Sequence, residues 1–110
     1  MSTSPDYNKV KRSDLPVWLE ASMEHLIILI FTAEWSGSVQ MLRGFVERIM
    51  EDKPHLVVYW IDIEQHEDLA LDLGVTQAPT IILLRNSDMV DHVRGVLPRH
   101  KLLQLIKEHA

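Results

Sequence analysis

With 110 residues, 46% hydrophobic and 25% charged, the chain has the size and balance of one globular domain, not of a disordered tail or a coiled coil. Eleven Lys and Arg against sixteen Asp and Glu give a net charge of −5, so no nucleic-acid partner is expected: a phosphate backbone needs a basic face. The cysteine count is zero, which excludes disulfides, thiolate metal sites and thiol nucleophiles from this chain.

Residues 1–6 are polar and read as a frayed terminus, without the basic start and apolar stretch of a cleavable signal. The remainder, 7–110, reads as a single domain without repeats or linkers. Its longest apolar run, Leu26 to Phe31, is far short of the roughly 20 residues that span a bilayer. A soluble cytoplasmic protein with no membrane partner is the expectation. Tyr7 to Arg12 reads as a short edge strand. Ser13 or Asp14 is placed to cap a helix that tolerates Pro16 in its first turn and runs to about Met23, with Leu15, Trp18 and Leu19 on one face.

Leu26 to Thr32 is apolar and β-branched without alternation, the pattern of a strand buried on both faces. Val39, Leu42, Phe45, Val46, Ile49 and Met50 then recur at helical spacing, and Pro54 lies beyond the end of that helix. Leu56 to Ile63 is a second buried strand. Residues 65–73 form a short helix, stopped by Gly74 as a left-handed cap. Thr80 to Leu84 is a third strand, Arg85 to Asp88 a turn, and Met89 to Arg94 an antiparallel partner. In that partner Met89, Asp91 and Val93 are expected on one face, opposite Val90, His92 and Arg94. Pro98 opens a last helix that buries Leu102, Leu105 and Ile106. This order predicts an α/β protein with a mixed sheet and helices on both faces.

Three separated segments carry a resemblance. Phe31-Thr32-Ala33-Glu34-Trp35-Ser36-Gly37-Ser38-Val39-Gln40-Met41 resembles the strand, W-C-G-P-C loop and helix of thioredoxins, with both cysteines replaced. Gly74-Val75-Thr76-Gln77-Ala78-Pro79-Thr80 resembles that family's G-x-x-x-x-P-T segment, and Arg94-Gly95-Val96 its last glycine turn. Over residues 7–110 the resemblance implies the thioredoxin fold, with a central mixed sheet of four to five strands. It also implies a cis Ala78–Pro79 bond facing the former active site.

The departures bear on function. In the family one cysteine attacks a disulfide as a thiolate and a second resolves the mixed disulfide. The matching positions are Ser36 and Val39, and neither supports those steps. The buried Asp and Lys that assist them match Ile30 and Trp60, and the helix-kinking proline matches Gly44. The resemblance therefore implies a redox-inactive member with no catalytic residue. Its binding groove is expected at Trp35, Ser36, Gly37, Ala78, Pro79, Gly95 and Val96, holding a protein or peptide partner or a second copy of the chain. The alternatives are a thioredoxin-type oxidoreductase role by family, or a homo-oligomeric structural subunit.

Plainer roles stand beside these. Ser36 is expected to cap the helix that follows it, since no acid or histidine is placed as a triad partner. Trp35 either lines the groove or packs on the helix start. Trp60 is expected in the core beside Ile30. His25, His55, His66, His92, His100 and His109 show no ligand spacing, so no metal is expected, and no glycine-rich loop suggests a cofactor. The acidic stretch Asp62, Glu64, Glu67, Asp68 and Asp72 reads as a solvated face open to a basic partner.

Overall fold

The computed structural model describes residues 14–34 and 36–110. The strand expected at Tyr7–Arg12, the terminus 1–6 and Trp35 lie outside the described residues.

Eight elements follow one another: α1 (Leu15–Ala21), β1 (Ile27–Thr32), α2 (Ser38–Asp52), β2 (Val57–Asp62), α3 (Glu67–Asp72), β3 (Thr80–Arg85), β4 (Asp88–Arg94) and α4 (Arg99–His109). Among the described residues the sheet has four strands in the order β2-β1-β3-β4. β1 runs parallel to β2, as its helical crossover requires, and antiparallel to β3. The sheet is mixed, as the element order predicts.

Strand parity divides the core. Ile28 and Ile30 of β1, Val58 of β2 and Ile81 and Leu83 of β3 pack with Leu42, Val46 and Ile49 of α2 and Leu102 and Ile106 of α4. Ile27, Leu29 and Phe31 point the other way, toward Trp18 of α1 and Leu69 and Ala70 of α3. β1 therefore has no wet face, which is why its sequence lacks alternation; Leu29, Ile30 and Phe31 are fully buried. On α4, Leu102 and Ile106 are buried, while Leu105 is only half-buried.

The expected alternation in β4 fails at one point. The pairing skips a residue, Leu83 facing Asp91 and Leu84 facing Met89, so Val90 is an extra residue in a bulge. Val90 and Val93 consequently both pack on the α2–α4 side, and Met89 on the other. The bulge shifts parity; a periodic reading assumes that it does not.

Two turns fix the chain with backbone conformations that most residues avoid. Gly74 has φ +69°, its N–H bonds Leu71 O at 3.2 Å, and Val75 N–H bonds Ala70 O at 2.8 Å. That pair of bonds is a Schellman stop for α3, in agreement with the sequence. In the β3–β4 hairpin, Asn86 and Ser87 both have positive φ, 56° and 63°, as a two-residue type I′ turn demands. Ser22, fully buried after α1, ties this turn down: its Oγ accepts Ser87 N–H at 2.8 Å and donates to Leu19 O at 2.6 Å.

Candidate functional site

Register brings the loops of interest to one end of the sheet. Thr32 pairs with Asp62, Phe31 with Thr80, and Thr80 with Arg94. The segments that follow β1, β2 and β4, and the one that precedes β3, therefore all emerge there.

On the β3–β4 side, the Ala78–Pro79 peptide bond is cis and Pro79 is buried. Pro79 O accepts the N–H of Gly95 at 2.8 Å, and Gly95 has φ +87°, a conformation suited to glycine. Thr80, also buried, donates its hydroxyl to Gln77 O at 2.7 Å. Ala78, Pro79 and Gly95 are thus held as one unit, with half-buried Val96 next in the chain.

On the β1–α2 side, Ser36 N–H bonds Ala33 O at 3.1 Å, and Ser36 O accepts Val39 N–H at 3.3 Å. Ser36 does not cap α2. The cap position falls on Gly37, whose backbone is already helical at φ −66°, ψ −23°, and no side-chain cap bond is made. A side-chain cap needs an extended backbone at the residue just before the helix, and the chain here turns too early. Asp14 before α1 is likewise helical, without a side-chain cap bond. The Ser36 hydroxyl instead lies 3.1 Å from Ser38 Oγ. Among the described residues its hydroxyl bonds no imidazole or carboxylate, so the geometry gives it no activation as a nucleophile.

Between α2 and β2 lies a cleft of about 310 Å³, lined by Thr32, Ala33, Glu34, Ser36, Val39, Gln40, Arg43, Trp60, Asp62 and Gln65. It takes in Ser36 from the expected groove, together with Val39 at the second former cysteine position; Gly37, Ala78, Pro79, Gly95 and Val96 are not among its described walls. Register brings both sets of loops to one end of the sheet, with Ser36 on this cleft and the Ala78–Pro79 and Gly95–Val96 turns outside its described walls.

Trp60 is the principal correction. It stands opposite Ile30 in the β1–β2 pairing, and Ile30 is fully buried, but Trp60 is only half-buried. β2 is the outer strand of the described sheet, so an indole here reaches the rim of the core rather than its middle. Its ring forms a wall of the cleft, with the Arg43 guanidinium carbon 4.4 Å from the ring centroid. Such a cation–π contact covers part of an apolar face that would otherwise meet water.

Glu34, Gln40, Arg43, Asp62 and Gln65 enter the site from structure. Part of the signal was available in sequence. Val39 and Arg43 are one helical turn apart, and Trp60 and Asp62 two residues apart on a strand, so each pair shares a face. Asp62 Oδ1 accepts Glu64 N–H at 2.8 Å, which leaves Oδ2 for other partners. Among the described residues no group of three or more metal-ligating side chains occurs, and no helix is long and apolar enough to cross a membrane.

A mixed sheet between two helical layers, with a cis-proline loop at the same sheet end as the start of the longest helix, defines an α/β protein of thioredoxin architecture. The structure of Fasciola hepatica thioredoxin matches it with a TM-score of 0.81 and 26% identity, over 91% of this chain and 95% of that one. The family model for thioredoxin matches residues 12–108, and the chain belongs to the thioredoxin family. Thioredoxin of Chlamydia caviae is 31% identical over 85 residues, covering 77% of this chain and 83% of its own. Mitochondrial thioredoxin of Bos taurus is 30% identical over 107 residues, 94% of this chain and 58% of its own. Within that family this chain has no cysteine and so brings no thiol to disulfide exchange.

Proposed function

We propose that this chain is a redox-inactive, non-enzymatic binding module of the thioredoxin family, which holds a protein or peptide segment at the sheet end described above. The observation that carries this reading is a combination. The loop architecture is kept, with Pro79 O bonded to Gly95 N–H, whereas every thiol is missing. The supporting acid and base are also replaced, by Ile30 and Trp60, so the loss extends beyond the two reacting atoms. An extended segment can pair with loop backbone and bury apolar side chains without covalent capture. Trp35, Ser36, Gly37, Ala78, Pro79, Gly95 and Val96 are the proposed contact residues.

The test is selection of extended peptides from a random displayed library on the wild-type protein, followed by affinity measurement on Trp35→Ala with Val96→Glu. Selected peptides should bind the variant about tenfold more weakly, given the usual weight of an aromatic anchor, with circular dichroism confirming its fold. Equal binding to the folded variant would place the contact elsewhere. Solution mass across a concentration series tests the second-copy form of the same reading.

A further inference from the structure

The cleft beside Trp60 already contains a cation, and that resident cation points to the chemistry of a partner. Arg43 lays its guanidinium on the Trp60 ring, 4.4 Å from the centroid, inside a cavity of about 310 Å³. An aromatic face attracts any guanidinium or ammonium through the same quadrupole, whichever chain supplies it. The other charged walls among the described residues are Glu34 and Asp62, both acidic. Neither is in an ion pair with another described residue, and Asp62 spends one carboxylate oxygen on Glu64 N–H. Gln65 joins this cleft to a neighbouring surface depression lined by Glu64, Glu67 and Asp68. A basic side chain entering here meets an aromatic wall, two carboxylates without a described counter-ion, and further negative charge along the approach.

We propose that the cleft takes an arginine or lysine side chain of a bound partner segment, and that Arg43 is a resident competitor which the incoming cation displaces from Trp60. This inference rests on the binding reading above and names the chemistry of its partner. It sets a particular sign: removal of Arg43 exposes the ring and removes a like charge, so binding of a basic segment tightens. If Arg43 were a recognition group for an acidic partner, its removal would weaken binding.

The experiment uses the whole protein and a blocked pentapeptide, acetylated and amidated, with arginine between glycines. The neutral citrulline analogue keeps the shape without the charge. Nuclear magnetic resonance titration follows the Trp60 indole N–H and the backbone of Ala78 and Val96. The arginine peptide should shift the indole saturably and bind about threefold or more tighter than citrulline. Glu34→Gln with Asp62→Asn should weaken it by about fivefold, an effect that salt reproduces. Arg43→Ala and Arg43→Gln should each tighten it by about threefold; two variants guard against a local packing change. Equal binding of both peptides, or weaker binding by both Arg43 variants, overturns the proposal. Citrulline and arginine peptides that shift Ala78 and Val96 alike would discard the basic preference and leave the binding face standing. Shifts at none of these positions would discard both.

Discussion

Ile30 and Trp60 occupy paired positions on neighbouring parallel strands, one sealed in the core and the other capped at its rim by Arg43. Where the family resemblance expects a buried acid and a buried base, these two residues leave an apolar contact. Removing both charges together is physically consistent, because a buried carboxylate without a partner or a proton to accept is costly.

Reintroducing thiols alone should therefore restore little. Ser36→Cys with Val39→Cys is expected to reduce insulin disulfides about tenfold or more slowly than the Chlamydia caviae relative, since general acid–base help at this point is missing. Equal rates would show that the Ile30 and Trp60 replacements do not matter to the chemistry. Adding Ile30→Asp to that variant should raise the rate and lower the melting temperature, because position 30 is fully buried.

Arg85 joins the hairpin to the end of α1. Its Nη1 donates to Ser22 O at 2.7 Å and Met23 O at 2.8 Å, while Asn86 N–H also reaches Ser22 O at 2.8 Å. These carbonyls lie at a helix C-terminus, where a cation is favoured. Arg85→Ala should cost about 1–2 kcal/mol, the lower part of the range for charged hydrogen bonds because the site is partly exposed. Ser22→Ala leaves the Ser87 N–H without its bond and should cost about 1–3 kcal/mol. Urea denaturation measures both. Losses under about half a kcal/mol would mean that water replaces the contacts freely.

Ser87 sits at φ +63°, in a turn where the second position prefers glycine. Ser87→Gly keeps the N–H that bonds Ser22 Oγ and removes a side-chain clash worth about 1 kcal/mol, offset in part by the freer unfolded chain. A gain of a few tenths to about 1 kcal/mol is expected. Thermal unfolding of the variant at a lower temperature than wild type would contradict this.

Gly74→Ala runs in the opposite direction. Open space surrounds the site, so only the backbone at φ +69° resists a side chain. Destabilisation of about 1 kcal/mol is expected by denaturant titration, and a stabilised variant would show that α3 can end otherwise.

Much of the fold was written in local pattern. The uniform burial of β1, the helical spacing on α2 and the glycine stop after Leu73 each follow from residues near in sequence. The misses share a physical cause, since each depends on a partner distant in the chain or on one residue of register. The bulge at Val90 is set by pairing with β3, and no periodic pattern in β4 announces it. Ser36 has the composition of a cap but lacks the backbone angle, which the turn from Ala33 determines. Trp60 matches a position that the family resemblance implies is buried, and its half-exposure follows from its place on an outer strand beneath Arg43. The chemistry lost at Ser36 and Val39 was legible at once, whereas the cleft joining α2 to β2 emerged only when the two elements were packed together.

Insulin-disulfide reduction by the wild-type protein, with dithiothreitol as electron donor, separates binding from catalysis in one assay. Without a cysteine the chain cannot form a mixed disulfide, so turbidity should develop only at the rate of the protein-free blank. Turnover that rises in proportion to the amount of pure protein, above that blank, would contradict a redox-inactive thioredoxin fold.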